Sequence, residues 1–160
     1  MTLQFMVRHL PPRIISSNSW SDNKQKALGI HAAKEEISAE VMMAARAAFG
    51  PDLPRIECCS IGITYIHTFK RPGDGLLRLT DPGNVGGNIA KAVIDALTPE
   101  SKPDKRGMVK KAGLGIIPDD DWTHVKSVTL MVDKCDEIAD EGIFIHIEEL
   151  IGDSGTRVGG

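Results

Sequence analysis

Hydrophobic positions along the chain change their period several times, and each change marks an element. "LQFMVRHL" (Leu3–Leu10) reads as a first strand halted by Pro11 and Pro12, which lack the amide protons a ladder requires. "SSNSWSDN" is turn and cap chemistry. From about Lys24 to Phe49, Ala27, Ile30, Ile37, Val41, Ala44 and Ala48 recur at steps of three, four or seven. That spacing predicts a long helix, closed by Gly50-Pro51. "RIECCSIGITYIHTF" is rich in β-branched residues and predicts one long strand, or two broken near Gly62. "KRPGDG" is a turn, and "LLRLTD" a short extended piece. Asn88 is a candidate cap for a second helix whose buried face carries Ile89, Val93, Ala96 and Leu97. "AGLGIIPDDDW" reads as a loop with a short apolar run. "VKSVTLMVD" and "GIFIHIEEL" are strands; in the second, Ile143, Ile145 and Ile147 alternate with Phe144, His146 and Glu148.

The order β-α-β-α-β-β, without internal repeats, predicts an α+β fold: one domain over residues 1–150, with two main helices packed on a mixed β-sheet. Residues 151–160, "IGDSGTRVGG", read as a flexible C-terminal tail. A chain of 160 residues is long enough to bury a core without staples. No apolar run approaches the roughly 18 residues of a membrane span, and "MTLQFMVRHLPPR" lacks the charged-apolar-small order of a secretion signal. The expectation is a protein of the cytoplasm with no membrane partner.

Cys58, Cys59 and Cys135 make an odd count. In a strand, neighbours point to opposite faces, so Cys58 and Cys59 are poorly placed to bond each other or share a metal; buried thiols in a reducing compartment are expected. A net charge of −3 weighs mildly against nucleic acid, yet the charge is uneven. "SKPDKRGMVKK" gathers Lys102, Lys105, Arg106, Lys110 and Lys111, while acids collect at "PDDDW" and "DKCDEIADE". One basic surface and one acidic site fit inside such a total.

Asp81 lies just before the second helix, and Asp119, Asp120 and Asp121 precede a strand. Carboxylates converging from two loops suit Mg²⁺ or Mn²⁺, which lowers the pKa of a bound water and stabilises charge on a phosphodiester. The plainer reading, also open, makes "PDDDW" a solvated acidic turn and Asp81 a turn former.

The order of these motifs bears on that choice. An Asp-Pro-x-Asn segment leads to "KAVIDAL", then "KAGLGIIPDD", then His124-Val125 and a strand pair. This resembles the RusA family of Holliday junction resolvases, small dimeric endonucleases common in phages and prophages. Asp81 and Asn84 match its first motif; Lys91, Asp95, Ala96 and Leu97 its helix; Asp119 and Asp120 its closing acidic pair. "LPPRIISSNSW" is similar to its Pro-rich, Asn-containing opening, so the likeness runs from Leu10 to Leu150.

The resemblance implies a RusA-like fold and a homodimer in a bacterial or phage-infected cell. It implies an endonuclease that resolves Holliday junctions or other branched DNA in recombination, repair or phage DNA processing. Asp81 and Asp120 would then bind Mg²⁺ or Mn²⁺, with Asp119 beside them. Lys91, in the first turn of its helix, would face the scissile phosphate; as a plain surface residue it would instead meet Asp95 at i+4. Lys70, Arg71 and Arg78, with the five cations of "SKPDKRGMVKK", most of them in the insertion "TPESKPDKRGMVK", are candidates for phosphate contacts without base reading.

The chain departs from the family at position 83, where a second motif aspartate belongs and Gly83 stands. Either Asp121 or Glu57 replaces the missing ligand, or the site is weak, or the protein binds branched DNA without cutting it. In another register Asn88 takes the asparagine's place, leaving Val85 and Gly87 where the aspartates belong. A reading of a different class takes "GNVGG" as an anion nest for a nucleotide phosphate, although it matches neither the dinucleotide-binding nor the P-loop pattern. His31 reads as a surface residue, and His67 and His146 lack metal-ligand spacing. His124 is either structural or a phosphate contact, and Trp122 either anchors its loop on the core or stacks on a base.

Overall fold

The computed structural model describes residues 1–8, 24–67 and 82–151, and their side chains except those of 24–33, 67, 82–88 and 138. The elements of the described residues are β1 (Thr2–Val7), α1 (Lys24–Phe49), β2 (Cys59–His67), α2 (Pro82–Leu97), β3 (Val125–Lys134), a short 3-10 helix at Ile138–Asp140, and β4 (Gly142–Glu149). Four strands form one mixed sheet in the order β1-β4-β2-β3. β4 runs antiparallel to both neighbours, and β3 lies parallel to β2, so α2 is part of the crossover between them. This is the expected α+β architecture and element order.

One face of the sheet carries the core. Leu3, Phe5 and Val7, Ile61, Ile63 and Tyr65, and Ile143, Ile145 and Ile147 alternate inward and are buried with Ile37, Val41 and Ala45 of α1. Ile89, Val93, Ala96 and Leu97 of α2 join them, as the spacing predicts. The helices lock through a hydrogen bond from Ser38 Oγ to the Ala92 carbonyl at 2.7 Å. At the other end of α1, Phe49 meets Phe5 edge-on, with ring centroids 5.7 Å apart.

Several expectations shift in detail. β2 is one strand that runs through Gly62; its irregularity is a bulge at Cys59/Ser60, where β3 carries an extra residue. In α1 the buried alanine is Ala45, continuing Ile37 and Val41 at i+4, while Ala48 is exposed. The side chains of Ala27, Ile30 and His31 lie outside the described residues.

α2 starts at Pro82, six residues before the expected cap, so Asn88 lies in the helix interior and Lys91 in its third turn. Proline at the first helical position costs nothing, because that amide would have no intrahelical partner. Gly83, Gly86 and Gly87 each weaken a helix by about 1 kcal/mol relative to alanine. The packing of Ile89, Val93 and Leu97 outweighs that penalty.

The insertion after α2 is an ordered hairpin rather than a loose loop. Pro99 bridges Leu114, Ser101 pairs with Lys111, and Asp104 closes the tip by accepting from the amides of Arg106 and Met108. Gly107 at the tip has φ +75°, a conformation that favours glycine. Among the described residues, no helix is long and apolar enough to cross a membrane.

Candidate active site

The hairpin's returning limb passes over the end of α2 and is stapled there. Leu114 donates to the Ala96 carbonyl at 2.9 Å, Gly115 to that of Thr98 at 3.2 Å and Ile117 to that of Leu97 at 3.0 Å. Ile116 and Ile117 are fully buried, and the Ile116 carbonyl accepts from the Ile56 amide. These contacts fix the next residues, Pro118 to Asp121, beside α2. The sequence places Lys91 and Asp120 29 positions apart; the fold brings Lys91 Nζ to 3.5 Å from Asp120 Oδ2 and 3.1 Å from Asp95 Oδ1.

Two carboxylates therefore share one ammonium on an accessible surface, with the Lys91 side chain 53% exposed and that of Asp120 49%. The Lys91 pKa is raised, first by the hydrogen bond to Asp95, against which desolvation works, and then by the charges of Asp95 and Asp120. A raised lysine pKa means that the cation persists throughout the neutral range and is lost only above the ordinary lysine value. Lys91 is thus equipped to stabilise negative charge and not to serve as a general base.

Asp119 and Asp120 are both exposed, and Asp119 Oδ1 accepts from the Asp120 amide at 2.8 Å. Asp121, a candidate replacement ligand, is committed to the turn. Its Oδ1 accepts from the Thr123 hydroxyl, from the Thr123 amide at 2.8 Å and from the His124 amide at 3.3 Å. The Thr123 hydroxyl is the main reason its pKa is lowered.

A depressed carboxylate pKa stabilises the fold above the unfolded value of about 3.9, and the stabilisation disappears as pH falls through that value toward the lower folded one. Hydrogen-exchange protection of the Thr123 and His124 amides is expected to hold at neutral pH and fall selectively in acid. Thr123→Val, which removes the hydroxyl donor, should move that loss to higher pH.

His124 is held by its Nδ1, which lies 2.7 Å from the Glu57 carbonyl. A carbonyl only accepts, so Nδ1 carries the proton in this contact. The His124 carbonyl in turn accepts from the Cys59 amide, which ties the acidic turn to the start of β2. Both contacts give His124 a structural role. The Glu57 side chain is exposed, and its backbone is what anchors the turn.

Trp122 departs from one of its two readings. It does not anchor the turn on the core; its ring is 77% exposed, with Lys126 Nζ 5.2 Å from its centroid. Lys111 departs too, because its ammonium donates to Thr98 Oγ1 at 2.7 Å and to the Pro99 carbonyl at 2.9 Å. It fastens the hairpin and satisfies the buried Thr98, whose hydroxyl donates to the Ile94 carbonyl. Lys102, Lys105, Arg106 and Lys110 remain exposed. Asp95 lies at i+4 from Lys91, the spacing that predicts the contact it makes here.

Asp81, Lys70, Arg71 and Arg78 lie outside the described residues, as do residues 152–160. Gly83, Asn84 and Asn88 are described as helical backbone only. Gly83 stands two turns before Lys91, in α2 itself and not in an extended approach to it. The three cysteines are free thiols, and burial, with a smaller contribution from Cys58, pushes Cys59 to about 11, so it is inert near neutrality.

Among the described residues no group of three or more His, Cys, Asp or Glu is placed to hold a metal ion. Asp119 and Asp120 nevertheless have the chemistry for a hard cation, since Mg²⁺ is commonly held by only one or two carboxylates, with waters and substrate phosphates completing its shell. No family model, curated protein or solved structure matches the chain.

Proposed function

We propose that this protein is a divalent-metal-dependent endonuclease acting on branched DNA, four-way junctions foremost. The observation that carries the reading is the meeting of Lys91 with Asp120 at 3.5 Å, since these are the residues that the RusA resemblance assigns to phosphate and metal. Asp120 and Asp119 would hold Mg²⁺ or Mn²⁺, which activates water and offsets charge on the phosphodiester when bound. Asp81, by the same resemblance, would supply a further carboxylate.

Lys91 neutralises the carboxylates in the resting protein and presents its ammonium to the phosphate in the complex. Exposed cations of the hairpin, Lys102, Lys105 and Arg106, add affinity that weakens with salt. Trp122, exposed one position past the acidic run, offers a surface for a base. Because a junction is resolved by paired cuts, the working form on this reading is a homodimer with one site for each cut strand.

One observation favours a second reading, binding without cutting. Gly83 supplies no carboxylate, and it sits inside α2. Incubating the protein with a synthetic four-way junction in Mg²⁺ or Mn²⁺, with a linear duplex of the same sequence as control, tests both. Paired nicks near the branch support the nuclease. Junction-selective binding without nicks at any metal concentration supports the second reading, and equal binding of junction and duplex sinks both.

A further inference from the structure

A cleft of about 560 Å³ opens between α1 and the returning limb of the hairpin, and its floor is Lys91 with Asp95. That volume lies in the range of about 300–1,000 Å³ usual for sites that enclose a small organic ligand. Met42 and Ala39 of α1 line one wall, and Val109 and Ala112 of the hairpin line the other. Val109 is 41% exposed, an apolar side chain left uncovered beside apolar neighbours.

Lysines surround this lining. Lys111 is committed to Thr98 and Pro99, and Lys91 to the two aspartates. Lys34 and Lys110 have no ion pair among the described residues. Against these four cations the cleft holds two carboxylates, Glu35 and Asp95.

Apolar walls beneath a cationic rim select a ligand with a flat apolar body and an anionic group. A phosphate backbone alone gains nothing from Met42 and Val109. A paired base keeps its faces against its neighbours, so only a nucleotide out of its stack can offer both base face and phosphate. Because Lys91 both floors the cleft and touches Asp120, such a nucleotide would lie next to the acidic site.

We infer that the cleft between α1 and the hairpin receives one unstacked nucleotide of a branched DNA strand, with the base against Met42 and Val109 and the phosphate at Lys110 and Lys34. This rests on the reading of the chain as a branched-DNA protein and adds to it where the strand goes. Unpairing costs least where stacking is already broken, as at a branch, so the cleft selects branched DNA over plain duplex.

Methyl-labelled methionine in the full-length protein tests this by NMR without divalent metal. Met42 lines the cleft, whereas Met43 is exposed outside it and Met6 and Met131 lie on the sheet. Met42→Leu assigns the signal. Titration with a four-nucleotide thymidine strand should shift the Met42 methyl and leave Met6 and Met131 in place. An abasic strand of equal length should bind roughly tenfold more weakly, as expected for one lost base contact. The Lys34→Gln/Lys110→Gln double variant should lose a similar factor.

A silent Met42 during strand binding overturns the inference, and so does an equal response to the abasic strand or to inorganic phosphate. Junction cleavage with Met42 silent would remove the cleft and leave the nuclease standing. A base-dependent Met42 shift in a protein that neither cuts junctions nor prefers them to duplex would remove the branched-DNA reading and leave a nucleotide-strand site.

Discussion

On the nuclease proposal, Asp120→Asn is expected to lower junction cleavage by at least about 100-fold while leaving the melting temperature within about 2 °C of the parent. Loss of a residue that merely supports a ligand costs about 10–100-fold, and loss of a ligand itself should cost no less. The fold should hardly notice, because Asp120 is half exposed and Lys91 keeps its 3.1 Å contact with Asp95. An exposed ion pair of this kind contributes at most about 1 kcal/mol. Activity and stability therefore part company at this position. Binding runs the other way: removing a negative charge next to Lys91 should tighten junction affinity and raise its tolerance of salt. Matched cleavage time courses, melting curves and salt titrations of parent and variant measure all three. If cleavage persists undiminished, Asp120 is not part of the chemistry.

The elements were readable where a side chain large enough to mark burial recurs at one period. Ile143, Ile145 and Ile147 announce β4, and Ile37 and Val41 announce α1, because each must leave water. Alanine carries too little surface to mark a face, so Ala45 could not be told from Ala48. The start of α2 escaped for a different reason. Gly83, Gly86, Gly87 and Asn88 read locally as a loop, and only packing of the residues that follow makes them helical. The meeting of Lys91 with Asp120 was readable through motif order alone, since no local pattern tells an aspartate that it will meet a lysine 29 positions earlier. Lys111 shows the limit from the other side. In a run of cations, a lysine that faces water and one that fastens a hairpin to Thr98 and Pro99 are written alike. Trp122 shows it again, an indole left exposed where anchoring on the core was one of its two readings.

Gly113→Ala is expected to be the most damaging methyl addition among the glycines of the hairpin. A Cβ at Gly113 would stand 1.9 Å from the Thr98 carbonyl oxygen and 2.9 Å from the Pro99 carbonyl carbon. Both neighbours are backbone, fixed by the end of α2, and cannot swing aside as a flexible side chain would. Relief requires the returning limb to lift from the helix. That motion strains the hydrogen bonds from Leu114, Gly115 and Ile117 and draws Ile116 and Ile117 from the core. The cost should reach about 3 kcal/mol or more, a fall of roughly 6–12 °C in melting temperature for a chain of this size. The same displacement carries Asp119 and Asp120 away from Lys91, so cleavage should fall even at temperatures where the variant stays folded. Gly107→Ala supplies the contrast. At φ +75° with nothing within 4 Å of a new methyl, it meets backbone strain and no clash. Its cost should be about 1–2 kcal/mol, confined to the hairpin tip. Melting curves and junction cleavage of the two variants side by side give the result. Gly113→Ala melting no lower than Gly107→Ala would mean that the limb does not lie against α2 in solution, and the placing of Asp120 beside Lys91 would fall with it.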